Sequence, residues 1–263
     1  MKKFNLTKIL LLLAITSASI IILFEVTHPF LNTSKVGLVS TGNSYSVRLA
    51  TNISNDGMVA VLNKYAKLDD VIEVRAGEID KLNSVQNGSP LLIYGKNDDQ
   101  TKAFSLAKEY GIKMIGYNLE DAQMTSDELV EKEKAAYTIA KENGLFFIFA
   151  PLAIHAEKYG ADLAKNADAI AIQLRNYQLM ENFTDKVKDI ATNIRSSNPD
   201  IEIWVQLDVN ARVQGNQNTR QSLSRQEIIE EINQIQDYVD LISIYYPRND
   251  ASVAQEVFAE LRK

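Results

Sequence analysis

Short apolar runs alternate with amphipathic segments along most of the chain. Runs such as 71–75 and 91–95 are rich in branched and aromatic residues and have the length of ordinary strands. They are too short for helices and are bounded by polar residues, which favours buried strands. The pattern predicts eight strands, at 36–40, 71–75, 91–95, 113–119, 145–150, 169–175, 201–209 and 241–246.

The segments between the strands repeat their apolar residues every three to four positions, as amphipathic helices do. Two of them open with a hydroxyl residue followed three positions later by glutamate, at Thr125 to Glu128 and at Ser224 to Glu227. This spacing is the capping box, which satisfies free backbone donors at a helix start. The predicted helices cover 57–67, 78–84, 99–110, 126–143, 154–165, 181–197, 224–238 and 250–262.

Strands that each lead into a helix require parallel pairing through right-handed crossovers. Eight such units, each of about 30 residues, predict an α/β fold in which a single (β/α)8 barrel of the TIM type spans 31–263. The alternative is an open doubly wound sheet, which normally carries a G-x-G-x-x-G turn after its first strand. The segment STGNSYS, at 40–46, holds one glycine, which favours the barrel. The first strand is the least certain, because 45–51 competes with 36–40 for that place.

The start of the chain has the pattern of an export segment. Three lysines, at positions 2, 3 and 8, precede an apolar run at 9–24. This order is typical of a signal peptide or a membrane anchor, and we assign 1–30 to one of them. No cleavage pattern of small residues follows at a suitable distance, which favours an anchor that contacts the membrane. The basic flank should stay in the cytoplasm, so the barrel is expected to be extracytoplasmic, either anchored or secreted.

Composition narrows the classes of function. The net charge of −6 gives no basic surface of the kind that neutralises nucleic-acid phosphates, so no nucleic-acid partner is expected. The chain has no cysteine, which excludes disulfides, thiolate metal sites and cysteine nucleophiles. With His28 and His155 as its only histidines, it offers no multi-histidine metal centre. We therefore expect neither a metal nor another cofactor.

Polar and aromatic side chains stand where several predicted strands end. In a barrel, the carboxyl ends of the strands form one rim and their side chains line the site. Side chains alternate along a strand, so Asn118 and Glu120 share one face of theirs. We therefore expect one site that contains Tyr117, Asn118, Glu120, Gln173, Arg175, Gln206, Asp208 and Tyr245.

This set of side chains suits a carbohydrate. Amides and carboxylates bind hydroxyl groups, aromatic rings stack on sugar rings, and two carboxyl groups supply the chemistry of glycosidic cleavage. Glu120 is the candidate general acid and Asp208 the second carboxylate. The other six residues are candidate substrate-binding residues. Glu120 has a structural alternative, because it can also cap the next helix or pair with Arg175.

Several short motifs resemble the barrel domains of the glycoside hydrolase superfamily, in particular exported barrel proteins with a chitinase-like layout. They are IGYNLE before a capped helix, FFIFAP followed by KNADAIAIQLRNYQ, and IEIWVQLDVN before VDLISIYYP. In chitinase-like barrels, the fourth strand ends in D-x-x-D-x-D-x-E, and the resemblance implies that Glu120 is its final acid. Gly116 and Asn118 stand where that pattern has its two preceding aspartates.

Two functions compete. The first is an exported glycoside hydrolase that cleaves a poly- or oligosaccharide through its strand-end carboxylates. The second is a non-catalytic barrel that binds a glycan at the cell surface with the same residues. A barrel enzyme that uses a lysine Schiff base has little support, since the sixth predicted strand ends in Gln173 and Arg175 instead of lysine.

Overall fold

Eight parallel strands close into a barrel, which confirms the predicted α/β barrel. The structure is a computed structural model that describes residues 47–213 and 219–263. Neighbouring strands in the barrel are neighbours along the chain, as right-handed β-α-β crossovers produce. The barrel strands are β1 (Arg48–Asn52), β2 (Val71–Arg75), β3 (Ser89–Gly95), β4 (Met114–Leu119), β5 (Phe146–Pro151), β6 (Ala169–Gln173), β7 (Glu202–Asp208) and β10 (Leu241–Tyr245). An antiparallel hairpin, β8 (Asn210–Arg212) and β9 (Arg220–Ser222), follows β7.

Helical segments connect the barrel strands. The segment after β2 is a 3-10 helix, Ala76–Ser84, where the sequence predicts a short helix. Both predicted capping boxes are present, at Thr125 with Glu128 and at Ser224 with Glu227. The α-helices are α1 (Asp56–Tyr65), α2 (Gln100–Glu109), α3 (Ser126–Glu142), α4 (Ala153–Leu163), α5 (Phe183–Ser197), α6 (Arg225–Ile235) and α7 (Ser252–Leu261).

The first barrel strand differs from the preferred prediction. It is β1, which overlaps the competing segment 45–51 and ends one residue beyond it, whereas 36–40 lies outside the described residues. β1 closes the barrel by pairing with β10 on one side and β2 on the other, with Ala50 opposite both Ser243 and Val71. Periodicity marks both segments as apolar and extended. Only pairing with two partner strands decides which of them completes a barrel.

The interior of the barrel is filled at its amino end and open at its carboxyl end. The rings of Phe146 and Trp204 stack in the filled amino end, with their centroids 6.3 Å apart. Below them, Glu202 accepts hydrogen bonds from Arg48 at 2.5 Å and from Nε1 of Trp204 at 2.7 Å. Small residues such as Gly116 and Ala171 leave space above this layer. A second, larger core lies between the strands and the surrounding helices, and it includes Phe147 and Phe149.

A buried ion pair joins the end of the chain to the beginning of the barrel. Arg262 follows α7, and its Nη2 lies 2.5 Å from Oδ1 of Asp70, with both side chains almost fully buried. Asp70 also accepts the backbone N–H of Leu49 at 2.9 Å. These contacts fix β1 against the last helix. Removal of either charged partner would leave a buried charge unpaired, which is strongly destabilising.

Within residues 47–213 and 219–263, no helix is long and apolar enough to cross a membrane. The predicted signal or anchor segment, 1–30, lies outside these ranges.

Candidate active site at the barrel mouth

A cavity of about 270 Å³ opens at the carboxyl ends of the barrel strands. Its walls combine carboxyl groups, amides, guanidinium groups and aromatic rings. The structure brings six of the eight predicted site residues to it, namely Asn118, Glu120, Gln173, Arg175, Gln206 and Tyr245. They come from four different strands and the turns that follow them, so a ligand in this cavity touches several elements at once.

Strand register places the amides side by side. Gln173 of β6 lies opposite Gln206 of β7, and Gln206 lies opposite Ser243 of β10. Because side chains alternate along each strand, residues in register share the inner face. The cavity exists because Gly116 and Ala150 stand among these polar residues and fill little volume.

A hydrogen-bonded network runs along one wall of the cavity. Nδ2 of Asn118 donates to Oε1 of Glu120 at 3.0 Å, and Nε2 of Gln173 donates to Oδ1 of Asn118 at 2.8 Å. Arg175 pairs with the other carboxylate oxygen of Glu120. A guanidinium partner stabilises an ionised carboxylate, so the structure presents Glu120 as an anion held in a fixed orientation.

Tyr117 lies outside the cavity, which corrects its predicted place in the site. It is buried in the core between barrel and helices, where its ring stacks on that of Tyr94 with centroids 4.8 Å apart. The physical reason is alternation along β4, since Asn118 points inward and its neighbour must point outward. Burial raises the pKa of the Tyr117 hydroxyl.

Asp208, the predicted second carboxylate, does not line the cavity either. Its side chain is 6% exposed, and Oδ1 accepts the backbone N–H of Asn210 at 2.8 Å. Oδ2 lies 3.3 Å from Nη1 of Arg220. Burial raises the pKa of Asp208, while the Asn210 N–H and the Arg220 charge oppose that shift. Asp208 ends β7, and its carboxylate stabilises the turn into the following hairpin.

Glu73 is a carboxyl group of the cavity that the sequence reasoning missed. It lies in the middle of β2, is 8% exposed, and its Oε1 accepts a hydrogen bond from Oγ of Ser243 at 2.6 Å. Burial raises the pKa of Glu73, and the Ser243 hydroxyl and the Arg75 charge oppose the rise. The signal was present in the sequence VIEVR, because Glu73 interrupts an apolar strand on the same face as Arg75.

Two aromatic residues differ in what they offer a ligand. Tyr245, at the end of β10, is 41% exposed at the mouth and is therefore accessible to a ligand. Trp204 is 2% exposed and lies deeper, between the cavity and Phe146. Tyr245 therefore belongs to the entrance, and Trp204 belongs to the floor.

In the part of the chain that the structure describes, no group of three or more histidine, aspartate or glutamate side chains is placed to hold a metal ion.

Comparison with known proteins shows the fold. No family model matches the sequence, and no curated protein is similar to it at a significant level. The chain is similar in structure to the spore cortex-lytic enzyme SleL of Bacillus megaterium, with a TM-score of 0.59 and 10% identity over 91% of this chain and 79% of that one. It is also similar to a GH128 endo-β-1,3-glucanase of Amycolatopsis mediterranei in complex with laminaripentaose, with a TM-score of 0.58 and 10% identity over 81% of this chain and 98% of that one.

A barrel of different chemistry is also similar. A Schiff base-forming fructose-1,6-bisphosphate aldolase matches with a TM-score of 0.52 and 12% identity, over 82% of this chain and 94% of that one. The similarity to SleL and to the glucanase confirms the expected likeness to barrel glycoside hydrolases at the level of the fold. Because one barrel fold hosts many reactions, the chemistry must be argued from the cavity itself.

Proposed function

We propose that this chain is a carbohydrate-active barrel whose cavity cleaves a glycosidic bond of an oligosaccharide. The observation that carries the proposal is a pair of carboxyl groups, Glu73 and Glu120, on one cavity in opposite environments. Glu73 is buried beside a hydroxyl group, whereas Glu120 is paired with the guanidinium of Arg175. Carboxyl groups whose environments favour opposite protonation states are the usual arrangement of an acid and a base in glycosidic hydrolysis.

The proposal assigns the acid role to Glu73 rather than to Glu120. Protonated Glu73 gives its proton to the glycosidic oxygen as the bond between that oxygen and the anomeric carbon breaks. Ionised Glu120 either takes a proton from the water that attacks the anomeric carbon or attacks that carbon itself. The anomeric form of the first product distinguishes these routes, since direct attack by water inverts the configuration and a covalent intermediate retains it.

The remaining residues of the cavity suit the hydroxyl groups and faces of a sugar. Gln173 and Gln206 present amides, which donate and accept hydrogen bonds, and Tyr245 presents an exposed ring at the entrance. The similar glucanase is in complex with laminaripentaose, which supports a glycan as the ligand of this cavity.

The second candidate function is glycan binding without cleavage. The network of Asn118, Glu120, Gln173 and Arg175 favours it, because these side chains already satisfy one another. A carboxylate committed to such a network also serves as a rigid hydrogen-bond acceptor for sugar hydroxyls.

The test is a screen of the purified full-length chain against a panel of oligosaccharides, with release of reducing ends and binding both measured. We expect hydrolysis of one class of glycan, and a loss of about 10²-fold or more in turnover for Glu73→Gln and for Glu120→Gln. Asp121→Asn is the matched control, because Asp121 adjoins Glu120 but pairs with Lys96 at 2.9 Å outside the cavity. Its turnover should stay near the wild-type value.

Each other outcome has a defined meaning. Hydrolysis that survives both glutamine substitutions would remove these carboxyl groups from the mechanism. Binding by the wild type without turnover would favour the non-catalytic function. Absence of both across the panel would contradict the carbohydrate proposal.

A further inference from the structure

Two arginines stand on the side of the cavity opposite the Glu120 network. Arg75 ends β2, and Arg248 follows β10; both line the cavity. Among the described residues, no carboxylate lies within salt-bridge distance of Arg75, and its side chain is exposed. Arg248 has one acidic neighbour, Glu78, at 3.5 Å, and its side chain is 75% exposed. Among the described residues, the two guanidinium groups therefore have one salt-bridge partner, Glu78.

A count of the charged side chains that line the cavity gives an excess of positive charge. Glu120 and Arg175 balance each other across their pair. Glu73 is almost fully buried, and burial favours its neutral form more than the Ser243 hydroxyl and the Arg75 charge oppose it. Among the residues that line this cavity, Glu78 is then the one remaining acid beside Arg75 and Arg248, which leaves one uncompensated positive charge at the mouth. The chain as a whole carries −6, so this local excess is opposite in sign to the net charge of the protein.

The two arginines also mark the boundary with a second concavity of about 600 Å³. Arg75, Glu78, Ile93 and Arg248 line both spaces. A chain of linked sugars that occupies the first cavity can therefore continue past the arginines into the second. A substituent on that chain would meet the guanidinium groups at the junction.

We infer that the glycan recognised here is an acidic one, and that Arg75 and Arg248 bind the carboxylate of a uronic acid unit where the two concavities meet. This inference rests on the proposed function, because it names the substrate class of the same site. Guanidinium groups suit the role because their planar donors match the two oxygens of a carboxylate. A neutral glycan would leave the two groups with Glu78 as their one salt-bridge partner among the described residues. Asp98 and Asp99 also line the second concavity, but each of their carboxylates accepts a backbone N–H, from Gly95 and Lys102.

The experiment compares a trigalacturonate with its full methyl ester, which has the same sugar chain without the negative charges, by isothermal titration of the full-length chain. Titrations use the Glu73→Gln background, which blocks the proposed proton transfer yet preserves the charge of a protonated acid. The Glu120→Gln background is unsuitable, because it would free Arg175 to bind the probe. We expect the free acid to bind about tenfold or more tightly than the ester, with an advantage that shrinks as salt is added.

The arginine variants locate the effect. Arg75→Gln and Arg248→Gln should each weaken binding of the acid and leave binding of the ester nearly unchanged, while Arg75→Lys should retain part of the preference. Lys132→Gln is the control, since it removes the same charge from the exposed face of α3. Circular dichroism of each variant checks that the barrel is folded.

The possible results distinguish failure of the acidic-glycan inference from failure of the proposed function. Equal affinity for acid and ester, or hydrolysis restricted to neutral glycans, would overturn the inference and leave the proposed function standing. A preference for the acid that survives in both Arg75→Gln and Arg248→Gln would also overturn the inference. Absence of binding and cleavage for every glycan, acidic or neutral, would overturn both.

Discussion

Oγ of Ser243 lies 2.6 Å from Oε1 of Glu73, inside the barrel and on the wall of its cavity. The two residues come from strands that lie on either side of β1, so this contact depends on closure of the barrel. It gives a buried carboxyl group one hydrogen-bond partner. The protonation state of that carboxyl group therefore responds to this hydroxyl, in addition to burial and the charge of Arg75.

The first prediction concerns the pH dependence of hydrolysis. The Ser243 hydroxyl lowers the pKa of Glu73 against the larger effect of burial, so Ser243→Ala should raise that pKa further. Glu73 must be protonated to act as an acid, and activity is lost as pH rises through its pKa. We expect the basic limb of the kcat/KM profile to move to higher pH in Ser243→Ala.

The control for this prediction is Thr51→Val. Thr51 is also buried in the barrel sheet, and its hydroxyl donates to the carbonyl of Ile244 at 2.9 Å. Its loss should lower stability without moving the basic limb. A limb that moves equally in both variants, or moves to lower pH in Ser243→Ala, would argue against Glu73 as the acid.

The second prediction separates structure from catalysis at Asp208. Asp208→Asn keeps an oxygen that accepts the N–H of Asn210, so turnover should stay within about tenfold of the wild type, well short of the loss of a general acid or base. Asp208→Ala removes that acceptor and should lower the free energy of unfolding by about 1–3 kcal/mol. Urea denaturation and initial rates measure the two effects. A loss of about 10²-fold in turnover for Asp208→Asn, without unfolding, would return Asp208 to the mechanism.

The third prediction is a dependence of stability on pH that arises far from the cavity. Glu133 is fully buried on α3, and burial raises its pKa from 4.5 to about 9, with the Asn166 side chain opposing the shift. Between these values the unfolded chain loses the proton that the folded chain keeps. Stability should therefore fall as pH rises, by at most about 1.4 kcal/mol per pH unit from this group.

Glu133→Gln should remove this part of the slope. The variant should gain stability relative to the wild type as the pH of urea denaturation is raised from 5 to 8. Glu131→Gln, on the exposed face of the same helix, should follow the wild type. Parallel curves for the wild type and Glu133→Gln would show that Glu133 does not hold its proton in the folded state.

The fourth prediction concerns the apolar run at 9–24, which lies outside the described residues. We propose that it tethers the barrel to the membrane on the extracytoplasmic side. The full chain should remain with membranes after a high-salt wash, and deletion of 1–30 should release it. A shorter, processed chain outside the cell would indicate a signal peptide instead. Intact chain in the cytoplasmic supernatant would contradict export.

The sequence predicted most of the fold because the individual strands and helices of a barrel depend on local patterns of residues. Alternating apolar strands and capped helices repeat with enough regularity to give the class of fold and most boundaries. The first strand was not predicted at its observed position, because two apolar segments satisfy the same local pattern. Only the pairing of β1 with β10 distinguishes them.

The site was predicted in part for similar reasons. Strand ends and alternation bring Asn118, Glu120, Gln173 and Arg175 together, and the structure shows these contacts. Glu73 was missed because it lies in the middle of its strand, and its partner is 170 residues away along the chain. Contacts of that kind follow from closure of the barrel and leave little trace in local sequence.

The central claim, that the cavity binds a glycan, is tested most directly through Trp204. It is the single tryptophan of the chain and it lines the cavity, so the intrinsic fluorescence reports on this site. Titration of the Glu73→Gln variant with each glycan of the panel should give a saturable change for at least one class. Ala171→Leu, which fills the space beside Trp204, should abolish the change in a chain that remains folded. A fluorescence that no neutral or acidic glycan alters, or a change that Ala171→Leu leaves intact, would contradict the account.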